Sequence, residues 1–320
     1  MDFLLQAGRP ELTNWIGLIV NWLFGHVGSI GWAVVLFAVL VKVATMPLDI
    51  WQKSAMRKQS RAMARVKPQL EKLQKQYEGQ PQLLRMEQYK LQKKEGVSFV
   101  SSCLPMIAHM AIFFFIMAGF RAFISYQNQM IVHNLAERYF YYLNTPGLEW
   151  SSEVAVRYYD LHGFLWIQNV FMPDNWSSII PSLATYTGGG IGGFAAPLPP
   201  LAEGIPMSYQ TLVGPAAAHY TGWNGMLFLP ILTIATSIAS TKLMQSQNPM
   251  AMAGDDKQKT QQRVMMFMMP LIMAVFAIFW SAAFAIYILT SNIITSLVGL
   301  AFNFTAARKD ANVSRETAEE

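Results

Sequence analysis

The sequence predicts an all-α integral membrane protein with five transmembrane helices, its amino terminus outside and its carboxyl terminus inside. An outer interfacial amphipathic helix and a cytoplasmic helical hairpin complete the expected fold. Three observations carry this expectation. Hydrophobic residues make up 53% of the 320-residue chain and charged residues 13%, against roughly 25% charged in a soluble domain. Five apolar runs are long enough to cross a bilayer, near 29–48, 97–120, 225–242, 264–280 and 282–304. Basic residues are concentrated in two of the segments between those runs, which sets an orientation.

Taken in order, residues 1–28 are expected to form the outer interfacial helix. Asn14, Gly17, Asn21, Gly25 and Gly28 recur at three- and four-residue steps, one stripe of a helix. Trp15 and Trp22 suit a membrane interface. The competing reading is a single long tilted span. Met1-Asp2-Phe3-Leu4-Leu5 has no basic region and no early cysteine, so neither a cleaved signal peptide nor a lipid anchor is expected.

The first span, 29–48, contains Lys42, and the next charge is Asp49, seven residues on. At about 1.5 Å per residue the two lie about 10 Å apart along the axis. An ionisable group at that depth is paired, bathed in a wet cavity, or snorkelling to the interface.

Segment 49–96 carries 12 Lys or Arg. It reads as a hairpin with arms from about Asp49 to Tyr77 and from about Gln82 to Lys94, broken at Glu78-Gly79-Gln80-Pro81. Met56, Met63, Val66, Leu70, Leu73 and Tyr77 face Leu84, Tyr89 and Leu91 in that reading. After the second span, 97–120, the segment 121–224 has Arg121, Arg138 and Arg157 against six carboxylates. It is therefore placed outside, with a Gly/Pro-rich insertion at about 187–222. The third span, 225–242, leads to a loop, 243–263, with Lys257, Lys259 and Arg263; the loop is placed in the cytoplasm with the hairpin. From Val264 to Phe304 no charge interrupts 41 residues, so two spans with a turn near Trp280-Ser281 are expected. A mixed-charge tail, 305–320, follows.

Catalysis is not expected. His26, His109, His133, His162 and His219 lack metal-site spacing. Phosphate-loop, nucleophile-elbow and dinucleotide patterns are missing, so no cofactor and no metal are expected. Cys103 is the single cysteine and forms no internal disulfide. What remains is a set of weakly polar stripes. The second span has Ser98, Ser101, Ser102 and His109; the third has Thr233, Thr236, Ser237, Ser240 and Thr241; the last has Tyr287, Thr290, Ser291, Asn292, Thr295 and Ser296. With Lys42 they could line a wet groove, and small polar residues equally mediate helix packing in lipid. Met265, Met266, Met268 and Met269, with Phe267 and Met273, make the fourth span adaptable to varied apolar partners or serve as lipid-facing filler.

Several motifs in this order resemble the YidC/Oxa/Alb family of membrane protein insertases. They are Val39-Leu40-Val41-Lys42 with Met46-Pro47-Leu48, Val66-Lys67-Pro68-Gln69-Leu70 with Gln76-Tyr77, and Cys103-Leu104-Pro105-Met106. Gly163-Phe164-Leu165-Trp166-Ile167 with Pro173-Asp174, Met268-Met269-Pro270 and Tyr287-Ile288-Leu289-Thr290-Ser291-Asn292 complete the set. The family's groove charge is usually arginine, where this chain has Lys42, and His109 stands where many members carry glutamine.

The resemblance implies an insertase and chaperone of a bacterial cell membrane, acting without nucleotide hydrolysis. Its polar groove would open to cytoplasm and lipid, and Lys42 would attract carboxylates in a substrate's tail. Nascent membrane proteins are the implied partners, with the Sec translocase and the ribosome as further candidates. Anionic lipids would suit the basic hairpin, and no specific nucleic acid sequence is expected. A small multispan channel or transporter using Lys42 is the alternative, and an assembly chaperone that does not insert is a third reading.

Overall fold

The computed structural model describes residues 10–94, 99–188, 208–246, 268, 271–272 and 275–319. Its ordered elements are helices α1 (Trp15–Val27), α2 (Ile30–Gln76), α3 (Pro81–Lys94), α4 (Phe99–Asn144) and α5 (Ser152–Tyr158). They continue with α6 (Leu183–Thr187), α7 (Tyr209–His219), α8 (Phe228–Ser246) and α9 (Ala282–Glu319). Among the described residues the only β-type pairings are two isolated bridges, Phe164 with Ile167 and Ser178 with Trp223. Among the described residues three helical stretches are long and apolar enough to cross a membrane: Ile30–Ala55, Met110–Asn144 and Ala282–Phe302. Trp15–Val27 and Phe228–Lys242 are shorter apolar helices. Residues 264–267, 269–270 and 273–274 of the fourth expected span and 189–207 of the Gly/Pro-rich insertion lie outside the described residues.

The chain divides into two compact units. The first comprises 1–39, 114–233 and 273–290. Here Asn14 caps α1 by accepting from the backbone N–H of Ile16 and Gly17 at 3.0 and 3.1 Å, and Gly28, at φ 71°, ends the helix. Ile16, Gly17, Val20 and Leu23 are buried, while Trp15, Leu18 and Trp22 are exposed. The expected Asn/Gly stripe is thereby divided. Gly17 and Asn21 turn inward, with Asn21 accepting from Gln127 at 2.7 Å, whereas Gly25 and Gly28 face outward. Close approach explains two other glycines. A Cβ at Gly119 would lie 2.4 Å from Ile16, and one at Gly31 would lie 2.1 Å from the Phe164 ring.

The core of this unit is aromatic. Phe37, Phe120 and Phe284 are buried, with ring centroids 5.6 Å apart for Phe37–Phe120 and 5.9 Å for Phe120–Phe284. The expected turn before the last helix is present, with a bend at Trp280 before α9. Its first free N–H groups are satisfied by chain segment 170–172, with Ala282 donating to Met172 and Ala283 to Val170, both at 2.9 Å. Helix α4 also runs on to Asn144, well past residue 120. Polar residues beyond 120 have partners within the unit: Gln127 meets Asn21, and Asn128 donates to the Ile124 carbonyl at 2.9 Å.

The second unit comprises 40–113, 234–272 and 291–320. Within α2, Pro47 and Pro68 leave the helix unbroken, so the chain runs from the apolar stretch into the basic arm without a turn. The arm ends at Gln76, Gly79 adopts φ 86° in the turn, and Pro81 opens α3. A groove of about 370 Å³ between the arms is lined by Leu73 and Leu91 together with Lys72, Lys90 and Lys94. Tyr89, expected to face the first arm, is 66% exposed. The apolar stripe of the second arm is carried by Leu84 and Leu91 instead, both half-buried.

Candidate functional site

Lys42 is paired. Its Nζ lies 3.5 Å from Asp49 Oδ2, with the two side chains 15% and 7% exposed. Seven residues are close to two helical turns, so both side chains share a face and the lysine stem spans the gap along its own helix. Pairing lowers the penalty for an ammonium in an apolar helix. One turn further, Lys53 continues the same face, and its Nζ is buried with no hydrogen-bond partner among the described residues. Among the described residues the Lys42 Nζ bonds to Asp49 alone, not to the serines and threonines that α8 and α9 contribute to its own unit.

Those residues form a separate seam within the second unit. Asn292 Nδ2 donates to Ser237 Oγ at 2.7 Å. Ser240 Oγ and Ser296 Oγ share a hydrogen bond, and Ser296 Oγ also donates to the Asn292 carbonyl at 2.8 Å. Thr241 and Thr295 bond back to carbonyls of their own helices, at Ser237 and Ser291. Ser291 Oγ is buried without a partner among the described residues. The seam therefore joins α8 to α9 through hydroxyl and amide groups and keeps one hydroxyl in reserve.

Other expected site residues have different settings. In the first unit, Tyr287 packs among aromatics, 5.5 Å from Phe120 and 6.1 Å from Phe284. Thr233 is buried and Thr290 half-buried there, and Thr236 is half-buried in the second unit. Met268 is 49% exposed. Ser98, Met265, Met266, Met269 and the side chains of Ser101, Ser102 and His109 lie outside the described residues.

Sequence reasoning named Asp49 and left its pairing with Lys42 open, and it missed two groups. Lys53 was legible from the four-residue step after Asp49. In the first unit, Asp174 and Asn224 organise the approach to α8. Asp174 is fully buried and accepts from the N–H groups of Met226 and Leu229 at 2.8 and 2.7 Å and from Trp166 Nε1 at 3.2 Å. It thus caps α8 from more than fifty residues away and holds Leu227 at φ 63°. A Cβ at Gly225 would sit 1.8 Å from Asp174 Oδ1, so only glycine fits that position. Asn224 Nδ2 donates to the carbonyls of Asn169 and Pro173, each at 2.9 Å, while its Oδ1 accepts from Asn169 N at 2.7 Å.

A membrane helix with a paired lysine, a polar seam and a capped entry to α8 can be set beside known proteins. The family model described as 60Kd inner membrane protein matches residues 22–308. The chain belongs to the 60Kd inner membrane protein family. The family match takes in Lys42, Asp49, Lys53, Asp174 and the whole α8–α9 seam.

Relatives named membrane protein insertase YidC include that of Chlorobium luteolum, 24% identical over 91% of this chain and 36% of the relative. That of Chlorobium limicola is 25% identical over 69% of this chain and 30% of the relative. That of Wolinella succinogenes is 33% identical over 35% of this chain and 23% of the relative. The chain thus matches little more than a third of the length of these relatives at most. As a 60Kd inner membrane protein family member with three membrane-length apolar helices, it is a membrane protein of bacterial type.

Proposed function

We propose that the protein is a membrane protein insertase and chaperone, receiving the polar tail of a nascent membrane protein without hydrolysing nucleotide. The observation that carries this reading is the Lys42–Asp49 pair inside an apolar helix of a member of this family. An insertase lowers the barrier for a polar tail by shortening the dry path it must cross, and a few polar groups within the bilayer suffice for that. In this proposal Lys42 attracts carboxylates of the tail, while Ser237, Ser240, Ser291 and Asn292 offer hydrogen bonds. Ser98, Ser101, Ser102, His109, Thr233, Thr236, Tyr287 and Thr290 complete the proposed polar set. Met265, Met266, Met268 and Met269 form the apolar flank along which the hydrophobic segment leaves.

The proposed topology has five spans at the boundaries given above, with the amino terminus outside. It puts the 12 basic residues of 49–96 in the cytoplasm. α1, with Trp15, Leu18 and Trp22 exposed, would lie in the outer interface. The hairpin would meet substrate and anionic lipid, and the Sec translocase and ribosome are the proposed larger partners.

The test is reconstitution in sealed liposomes, with insertion of a single-span substrate carrying an acidic tail read by protease protection. Parent and Lys42→Arg are expected to insert it, and Lys42→Ala to lose roughly tenfold, equivalent to about 1.4 kcal/mol. Insertion by Lys42→Ala at the parent level would overturn the charge role. No insertion by the parent above empty liposomes would overturn the insertase reading.

A further inference from the structure

Among the described side chains Lys42, Asp49 and Lys53 of α2, positive charge exceeds negative. Lys42 meets Asp49 at 3.5 Å, and one turn beyond, the buried Lys53 Nζ has no acceptor among the described residues. All three side chains belong to the second unit and to the apolar stretch Ile30–Ala55. Two ammonium groups and one carboxylate leave a surplus positive charge where burial makes such a surplus costly. One further carboxylate would neutralise the group; a neutral amide would not.

We propose that Lys42, Asp49 and Lys53 form an exchangeable carboxylate seat, in which Asp49 stands in for a substrate carboxylate at Lys42 and Lys53 receives the incoming one. This rests on the insertase reading and adds to it the two residues that set preference for acidic tails. Asp49 and Lys53 are four residues apart, the spacing at which opposite charges meet on a helix. An arriving carboxylate therefore has two equivalent outcomes. It binds Lys53 directly, or it takes Lys42 while Asp49 turns to Lys53. Either way two cations end with two carboxylates. Asp49 also protects the resting protein, because a bare Lys42 would attract any anionic headgroup within reach. The seat is thus tuned: Asp49 lowers the pull on acidic tails and Lys53 raises it.

The experiment measures the ratio of insertion for two single-span substrates, identical but for a short tail holding two aspartates or two asparagines. The full-length protein is used in sealed liposomes. Lys53→Gln is expected to lower the acidic-to-neutral ratio roughly fivefold, the upper range for one partly exposed charge pair. Asp49→Asn is expected to raise it about threefold, and Asp49→Glu to leave it unchanged. A purely structural role would lower insertion of both tails together and leave the ratio fixed. That result for both Lys53→Gln and Asp49→Asn overturns the proposal.

Where a variant inserts neither tail, the same ratio is read from photocrosslinking of the two substrates to the protein in nanodiscs, with the same two outcomes. Failure of the parent to insert either substrate, with the crosslinking ratio still shifted by Lys53→Gln, would remove the insertase reading and keep the seat.

Discussion

Buried polar groups serve opposite ends in the two units. In the first unit Asp174 and Asn224 bond mainly to main-chain N–H and carbonyl groups of segments more than fifty residues away. Buried side-chain atoms there that make no hydrogen bond among the described residues, such as Trp150 Nε1 and Ser177 Oγ, are neutral. In the second unit Lys42 and Asp49 pair with each other, the serines and Asn292 bond across α8 and α9, and an ammonium at Lys53 stays without an acceptor. The first pattern fixes a backbone, because every bond removes an orphaned main-chain group. The second pattern fixes little and leaves polar capacity available inside an apolar element. Polarity of the first kind belongs to stability; that of the second is the kind the proposed exchange with a substrate tail needs.

Substitutions can break this contrast. The largest effect is expected at Asp174→Ala, which orphans two backbone donors and the Trp166 indole. Since each buried donor left alone costs roughly 1–3 kcal/mol, a loss of about 4 kcal/mol is expected by denaturant unfolding in detergent micelles. A change under about 1 kcal/mol would show that water replaces the carboxylate and that the first unit is not built on this cap.

Next comes Gly31→Ala, whose new methyl meets the Phe164 ring. A cost of about 2 kcal/mol is expected in the same assay. Asn292→Ala in the seam is expected to cost only about 1 kcal/mol, the usual net worth of one intramolecular hydrogen bond. A loss as large as that at Asp174 would make the seam a structural element and erase the difference between the units.

The smallest effect concerns pH. His162 lies between Phe24 and Phe171, with Nε2 3.4 Å from Asp160. Burial lowers its pKa below the ordinary histidine value, and the exposed Asp160 carboxylate only partly opposes this. The unfolded chain therefore takes up the proton first as pH falls. The contribution to stability is complete above the ordinary value of about 6.5 and is lost as pH falls through the lower folded value. Unfolding midpoints recorded across that window should decline, and His162→Leu should flatten the decline. An unchanged slope in that variant would assign the pH response to another group.

Much of the helical plan was legible because membrane helices depend on length and charge, which a sequence displays directly. The bend at Trp280 follows from 41 residues without a charge, and the turn at Gly79 from a glycine and a proline in the expected order. Helix α2 was harder to read. A proline suggests an end, yet Pro47 and Pro68 each remove one hydrogen bond from a ladder that holds around them. Helix α4 outruns the expected span because an apolar run marks where lipid ends, before Arg121, and not where a helix ends; Gln127 and Asn128 continue it with partners at Asn21 and Ile124. For the site, Lys42 stood out through its neighbours' hydrophobicity. Its pairing did not, because treating depth as the problem drew attention to the interface rather than along the same helix face. Asp174 and Asn224 could not be found from spacing at all, since what they bond is main chain brought close only by folding.

Tyr186 and Tyr209 lie with their rings 5.0 Å apart, and the Tyr209 hydroxyl donates to the Pro181 carbonyl at 2.8 Å. Burial raises both phenols above their ordinary pKa, so neither ionises near neutrality. This clasp closes a loop on itself: the chain leaves at 186 and returns at 209, whatever its length between. Closure entropy grows only logarithmically, by about 0.6 kcal/mol for each doubling of the loop. The interval is therefore a place where length can drift between relatives, or where a reporter domain with adjacent termini can be spliced, without strain reaching the Asp174 cap.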